Sequence, residues 1–353
     1  MSAAEVTDIA QLALWLAIVC GIVVLEIAAI AFFKIERERR ERIESRAREA
    51  IIGELIDALE TDVSVELPPP RGLIGRATRE AIIGLIATIG GRERERLVRL
   101  LEEHGYVERV KRHLKSRNAA TRARGCMILG GMLSEQANAT LIERLYVDRN
   151  ANVQLTAAEA LAEIGTQSTM PILVQAVKYS EKSARLRLAV SRMGETAVPS
   201  LLDSLSDLDE EIVRFSLDIL SDIGFVPDVT PVVGLLQHPS AEIRGRAADL
   251  LGIAGAVDLM AQIIDRTYDA VWFVRVRAIK SMQRLGVPDK IDIADAYYAA
   301  LRRLLTDEAW WARHHAAETL AMSGERGREI LSIFESPEAL YALQLQDLHE
   351  GRV

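Results

Sequence analysis

Ile243-Arg244-Gly245-Arg246-Ala247-Ala248-Asp249-Leu250-Leu251-Gly252-Ile253-Ala254-Gly255 is the stretch that decides the fold of this 353-residue chain. Ile243, Ala247 and Leu251 fall four apart, so they stack on one face of a helix, and the small Ala247 lets a neighbouring helix come close. Gly255 ends that helix, because glycine enters the left-handed region without the steric cost a Cβ brings. A polar turn follows, then a second apolar helix over residues 259–264. A helix pair of this kind cannot bury its apolar face alone and must stack on another pair.

With the apolar-Arg start and the glycine twelve residues after that apolar residue as a ruler, further copies fall out on both sides. They are Val153…Ala157…Leu161…Gly165, Ile212…Ser216…Leu220…Gly224, Val274-Arg275…Ala278…Met282…Gly286 and Ala312-Arg313…Ala316…Leu320…Gly324. A copy with a degenerate start ends at Gly194, and the closing glycines are spaced 29, 30, 31, 31 and 38 from Gly165 onward. Thr121-Arg122…Gly125…Leu129 and Thr78-Arg79…Ile82…Ile86…Gly90 are weaker copies. The hexapeptide Arg-Glu-Ala-Ile-Ile-Gly occurs at 48–53 and again at 79–84, which hints at one more degenerate unit.

Composition agrees: half of the chain is apolar, only 5% is aromatic, and Ala, Leu, Ile, Glu and Arg dominate, a helix former's mixture. The expected fold is all-α, a solenoid of seven to eight helix pairs preceded by one transmembrane helix. Residues 1–8 form a short tail, 9–33 the span, 34–60 a charged juxtamembrane helix, 61–72 a proline-rich elbow, 73–335 the repeats, and 336–353 a capping helix and tail. Leu67-Pro68-Pro69-Pro70 breaks the juxtamembrane helix, and Ser336-Pro337-Glu338 reads as an N-cap with proline in the first turn.

The copies resemble HEAT repeats of the short bacterial, PBS-lyase-like type, whose signature runs Asp, Val-Arg, Ala-Ala, Ala-Leu and Gly. The resemblance covers residues 78–324, with the Gly90 and Leu133 units departing most. It implies a curved superhelix and a binding role without fixing a partner. Arg79, Arg122, Arg244, Arg275 and Arg313 match the signature arginine, which in the family usually bonds to an acidic residue in an adjacent turn; ligand contact is the alternative.

From residue 9 to 33 the strongly polar residues are Gln11 and Glu26. About 25 residues at 1.5 Å rise give roughly 37 Å of helix against about 30 Å of hydrocarbon. No Lys or Arg precedes this run, whereas Lys34, Arg37, Arg39, Arg40, Arg42, Arg46 and Arg48 follow it, which predicts a single pass through the inner membrane with the N-terminus outside and the repeats cytoplasmic. Ala13, Ala17 and Gly21 form a small-residue stripe suited to helix contact, and Glu26 is either a helix contact or an interfacial residue. Net charge is −8 overall, yet residues 34–125 carry 21 basic and 16 acidic groups and residues 126–353 carry 22 and 32. Lys34, Arg37, Arg39, Arg40 and Arg42 therefore either face anionic lipid headgroups or are neutralised by i,i+4 glutamates.

Signs of catalysis are few. Neither a phosphate-binding glycine loop nor a nucleophile elbow occurs, and Cys20 and Cys126 form no metal or disulfide pattern. His314 and His315 are adjacent and point about 100° apart on a helix, unlike an i,i+4 ligand pair. No metal or other cofactor is expected, and no small-molecule substrate. Trp272 and Trp310 hold the same position in successive copies, beside Phe273 and Trp311, and with Arg275 and Arg313 they are candidate partner-binding residues; filling between repeats is the other reading. The expected function is a membrane-anchored, non-catalytic scaffold binding a protein, an integral membrane protein or its cytoplasmic domain, as an accessory subunit of an envelope, polysaccharide-handling enzyme. The alternatives are a bilin lyase or isomerase, which the shared signature brings in, and nucleic-acid binding through the basic segment, which the acidic repeats disfavour.

Overall fold

The structure is a computed structural model that describes residues 3–61, 63–176 and 183–349, with side chains described over 25–61, 63–176 and 185–347. Among the described residues every regular element is a helix. They divide into two compact units, Met1–Lys115 with Gly131–Gln136, and Ser116–Gly130 with Ala137–Val353.

The first unit holds α1 (Ala3–Thr61), α2 (Gly72–Thr88), α3 (Gly91–Glu103) and α4 (Tyr106–Lys111). The end of α1 packs on α2, and Ile51, Leu55 and Ala58 of the one and Ala77, Ile82 and Ile86 of the other are buried. The two hexapeptide copies lie on these two helices, joined by an Arg48–Glu80 ion pair of 3.2 Å. The end of α1 thus fills the place of a repeat helix. The elbow is well anchored: residues 63–71 are not helical, the Tyr106 hydroxyl donates to the Pro68 carbonyl at 2.6 Å, and a Cβ on Gly75 would lie 2.5 Å from the Pro69 carbonyl oxygen.

The predicted single-pass placement in a membrane is overturned. Among the described residues no helix is long and apolar enough to cross a membrane. The 9–33 run lies within α1, which continues through it into the charged stretch without a break, and its side chains are described over residues 25–33. Glu26 is exposed on this helix. Ala13, Ala17 and Gly21 lie outside the residues whose side chains are described. The basic residues behave as a self-neutralising helix surface: Arg37 pairs with Glu41 at 2.7 Å, Arg40 with Glu36 at 3.0 Å and Arg42 with Glu38 at 3.8 Å, while Lys34 and Arg39 are exposed. The lipid-headgroup role loses its basis with the span.

In the second unit the helices are α5 (Ala119–Gly131), α6 (Asn138–Val147), α7 (Ala151–Ile164), α8 (Met170–Gln175), α9 (Ser183–Ser191), α10 (Val198–Asp203), α11 (Glu210–Ile223) and α12 (Thr230–Leu235). They continue as α13 (Ala241–Ile253), α14 (Met260–Asp265), α15 (Trp272–Leu285), α16 (Ile291–Leu304), α17 (Trp310–Ala321), α18 (Gly324–Ser332) and α19 (Pro337–His349). Helices α7, α9, α11, α13, α15 and α17 are the signature helices and pack in sequence, each on the next, with α19 closing the row against α17. Their ruler residues are the core: Val153, Ala157, Leu161, Ile243, Ala247, Leu251, Ala278, Met282, Ala316 and Leu320 are all fully buried.

Two glycine positions explain the spacing. Gly165, Gly194, Gly224, Gly255, Gly286 and Gly324 all have positive φ, from 58° to 76°. The α5 repeat departs as its sequence foretold, because Leu133 takes that position with φ 53°, the only positive-φ residue other than glycine among those described. The second position is a close approach between helices. A Cβ on Gly252 would lie 2.6 Å from the Ser281 side chain, and one on Gly130, the equivalent residue of an earlier repeat, 2.9 Å from the Ala160 Cα.

Candidate functional site

The signature arginines form a ladder between repeats. Arg122 reaches Asp148 with Nε and Nη2 at 2.6 and 2.7 Å, and Arg244 reaches Asp269 at 2.7 and 2.9 Å. Arg275 donates to Asp307 at 2.6 Å and Arg313 to Glu338 at 3.0 Å. Each also donates to two backbone carbonyls in the turn before its own helix, for Arg275 those of Asp269 and Ala270. These are charge-assisted, partly bidentate bonds with the geometry the guanidinium fork favours. Hydrogen bonding from Arg122 is the main cause that holds the Asp148 carboxyl below its usual range. At Asp269 and Asp307 burial pulls upward, but bonds from Arg244 and Arg275 and from the following backbone outweigh it, so both are lowered. Arg275 is 6% exposed and committed to this ladder, so the structure does not present it to a partner; Arg313 is half-buried in the same role.

The ladder places the tryptophans. Asp269 Oδ1 accepts from the Val271 backbone N–H at 3.0 Å and Asp307 Oδ1 from that of Ala309 at 2.9 Å. Trp272 and Trp310 are the next residues, the first of α15 and α17. Each acidic residue therefore fixes both the preceding repeat's arginine and the turn that launches a tryptophan. Trp272, Trp310 and Trp311 are 45%, 47% and 51% exposed, which is far from the burial a filler between repeats would show. The Arg277 guanidinium lies 5.8 Å from the Phe273 ring centre next to Trp272.

At α17 the aromatic cluster continues into polar side chains that sequence reasoning had set aside. The Trp310 ring stacks on His314 at 4.9 Å between centres, and Trp311 on His315 at 6.2 Å. His314 in turn faces Tyr341 of α19 at 6.4 Å. The two histidine ring centres lie 5.2 Å apart with their planes at 64°, and Glu318 stands one turn on from both: one ligand atom from each of His314, His315 and Glu318 lies within 4.8 Å of the others. The signal was present in the sequence as His314-His315-Ala316-Ala317-Glu318. His315 Nδ1 is 3.1 Å from Glu318, and burial, its largest influence, lowers the His315 pKa. A cavity of about 630 Å³ opens beside this cluster, lined by His314, Glu318, Glu338, Tyr341 and Gln346 among others.

Elsewhere the acidic face is laced by ion pairs between neighbouring repeats, Arg185–Glu159 and Arg187–Asp222 at 2.7 Å and Arg246–Asp218 at 2.8 Å. Burial pushes the Cys126 thiol up to about 12, which makes it a packing residue rather than a nucleophile.

Residues 107–194 match the family model of HEAT repeats. No curated protein matches the chain. Among solved structures, it resembles Kap121p bound to Nup53p with a TM-score of 0.52 and 15% sequence identity, over 76% of this chain and 34% of that one. It also resembles Kap121p bound to Ste12p, with a TM-score of 0.53 and 15% identity over 79% and 35%. The chain thus spans about a third of the length of the Kap121p structures it matches. At that identity the likeness establishes the fold, a HEAT-repeat solenoid.

Proposed function

We propose that this HEAT-repeat chain is a non-catalytic protein-binding scaffold whose docking edge is the aromatic row at the N-termini of α15 and α17. The observation that carries the reading is the half exposure of Trp272, Trp310 and Trp311 in a chain with only four tryptophans. Large aromatic side chains left in water on a rigid frame are the usual anchors of an interface. Repetition supplies the frame, since the arginine ladder sets the tryptophans at the pitch of the repeats. The Kap121p structures are complexes with other proteins, and a fold of the same kind serving protein recognition here is a fold-level analogy. The test is site-specific photo-crosslinking in the full chain under native conditions. A crosslinker at position 311 is expected to give a discrete protein adduct, and one at position 208, where Leu208 is fully exposed in another repeat, is expected to give none. The same adducts from both positions would sink the assignment.

A further inference from the structure

We infer that His314, His315 and Glu318 form a binding site for one divalent transition-metal ion of the zinc class, on α17 beside the cavity that His314 and Glu318 line. Two imidazoles and one carboxylate are the donor set that such ions take, and three protein ligands leave a coordination position for water or another molecule. The three donor atoms lie within 4.8 Å of one another, whereas ligand atoms around a tetrahedral zinc stand about 3.4 Å apart. His315 Nδ1 already stands 3.1 Å from the Glu318 carboxylate, and all three residues lie on one helix. Glu318 is four residues from His314 and three from His315, so it reaches both rings from the next turn of α17.

A further observation separates this cluster from an ordinary surface ion pair. Both imidazoles are stacked against tryptophans one turn earlier, with interplanar angles of 11° for Trp310–His314 and 22° for Trp311–His315, and His314 is faced by Tyr341 on its other element. Ring planes fixed by packing are what outer contacts supply at metal centres. The adjoining cavity of about 630 Å³ gives the ion an entry path from solvent and room for an exogenous ligand. Glu338 also lines that cavity but is bonded to Arg313, so it is not counted among the donors.

The full chain, stripped of metal with a chelator, is titrated with zinc by calorimetry and separately with cobalt followed by visible absorption. One zinc per chain is expected, with at least a tenfold loss of affinity in each of His314→Ala, His315→Ala and Glu318→Gln, circular dichroism confirming that the helices persist. The wild-type cobalt spectrum, which needs no variant to fold, should show ligand-field bands of nitrogen and oxygen ligation without a thiolate charge-transfer band. No uptake of zinc, unchanged affinity in the triple variant, or a thiolate band that points to a cysteine would each overturn the site.

Discussion

Arg275 donates to Asp307 at 2.6 Å across 32 residues of chain, and both side chains are less than a tenth exposed. The same carboxylate holds the backbone N–H of Ala309, one residue before Trp310, so this single pair couples repeat stacking to the placement of the aromatic edge.

Asp307→Ala leaves the Arg275 guanidinium buried without its carboxylate and removes the cap on the α17 turn. Loss of one partner of a buried, hydrogen-bonded pair costs about 3–5 kcal/mol. Urea denaturation of the variant should show a loss of about that size. A change near zero would mean that water or Glu308, which stands 3.6 Å from Arg275, replaces the contact.

The ladder also predicts acid sensitivity. Asp148, Asp269 and Asp307 all have carboxyl pKa values lowered in the folded chain. A lowered folded value means that the unfolded chain binds protons first, so the stabilisation is present above the ordinary carboxylate range and is lost as pH falls through it towards the lowered values. Melting temperature should therefore decline through the acidic range, and Arg122→Met should flatten part of that decline. An identical pH profile in the variant would remove Arg122–Asp148 from the cause.

Two glycines should fail for different reasons. Gly224 has φ 73° and open space around it, so Gly224→Ala should cost about 1 kcal/mol from backbone strain alone. Gly252 has no such strain, but an added Cβ would meet Ser281 at 2.6 Å, and overpacking of this kind costs about 1–3 kcal/mol. Thermal melts of the two variants check both, and a neutral Gly252→Ala would show that α13 and α15 separate freely.

Much of this architecture was legible because a repeat states the same physics many times. The glycine ruler found the turns, the arginine row found the ladder, and even the weak copy at Leu133 was marked by its missing glycine, which the structure answers with a strained φ of 53°. The membrane placement was not sound, since run length and the following basic residues were counted together as a span, whereas those arginines pair with glutamates on their own helix and no described helix is apolar over a sufficient length. Arg275 carried two readings, a ladder bond from its signature position and partner contact from the tryptophan nearby, and its burial and bond to Asp307 favour the ladder. The histidine cluster was missed because adjacency was judged two residues at a time, while the geometry is set by a third residue one helical turn away.

Trp272→Ala combined with Trp310→Ala tests the docking edge most directly, read by melting temperature and by affinity for the protein crosslinked at position 311. With both rings about half exposed, the melting temperature should stay nearly unchanged while affinity falls by about 2 kcal/mol or more, the scale of interface hot spots. Fillers in a core would instead cost about 3–5 kcal/mol of stability each. A sharp fall in melting temperature, or unchanged affinity with unchanged melting, would contradict the aromatic docking edge.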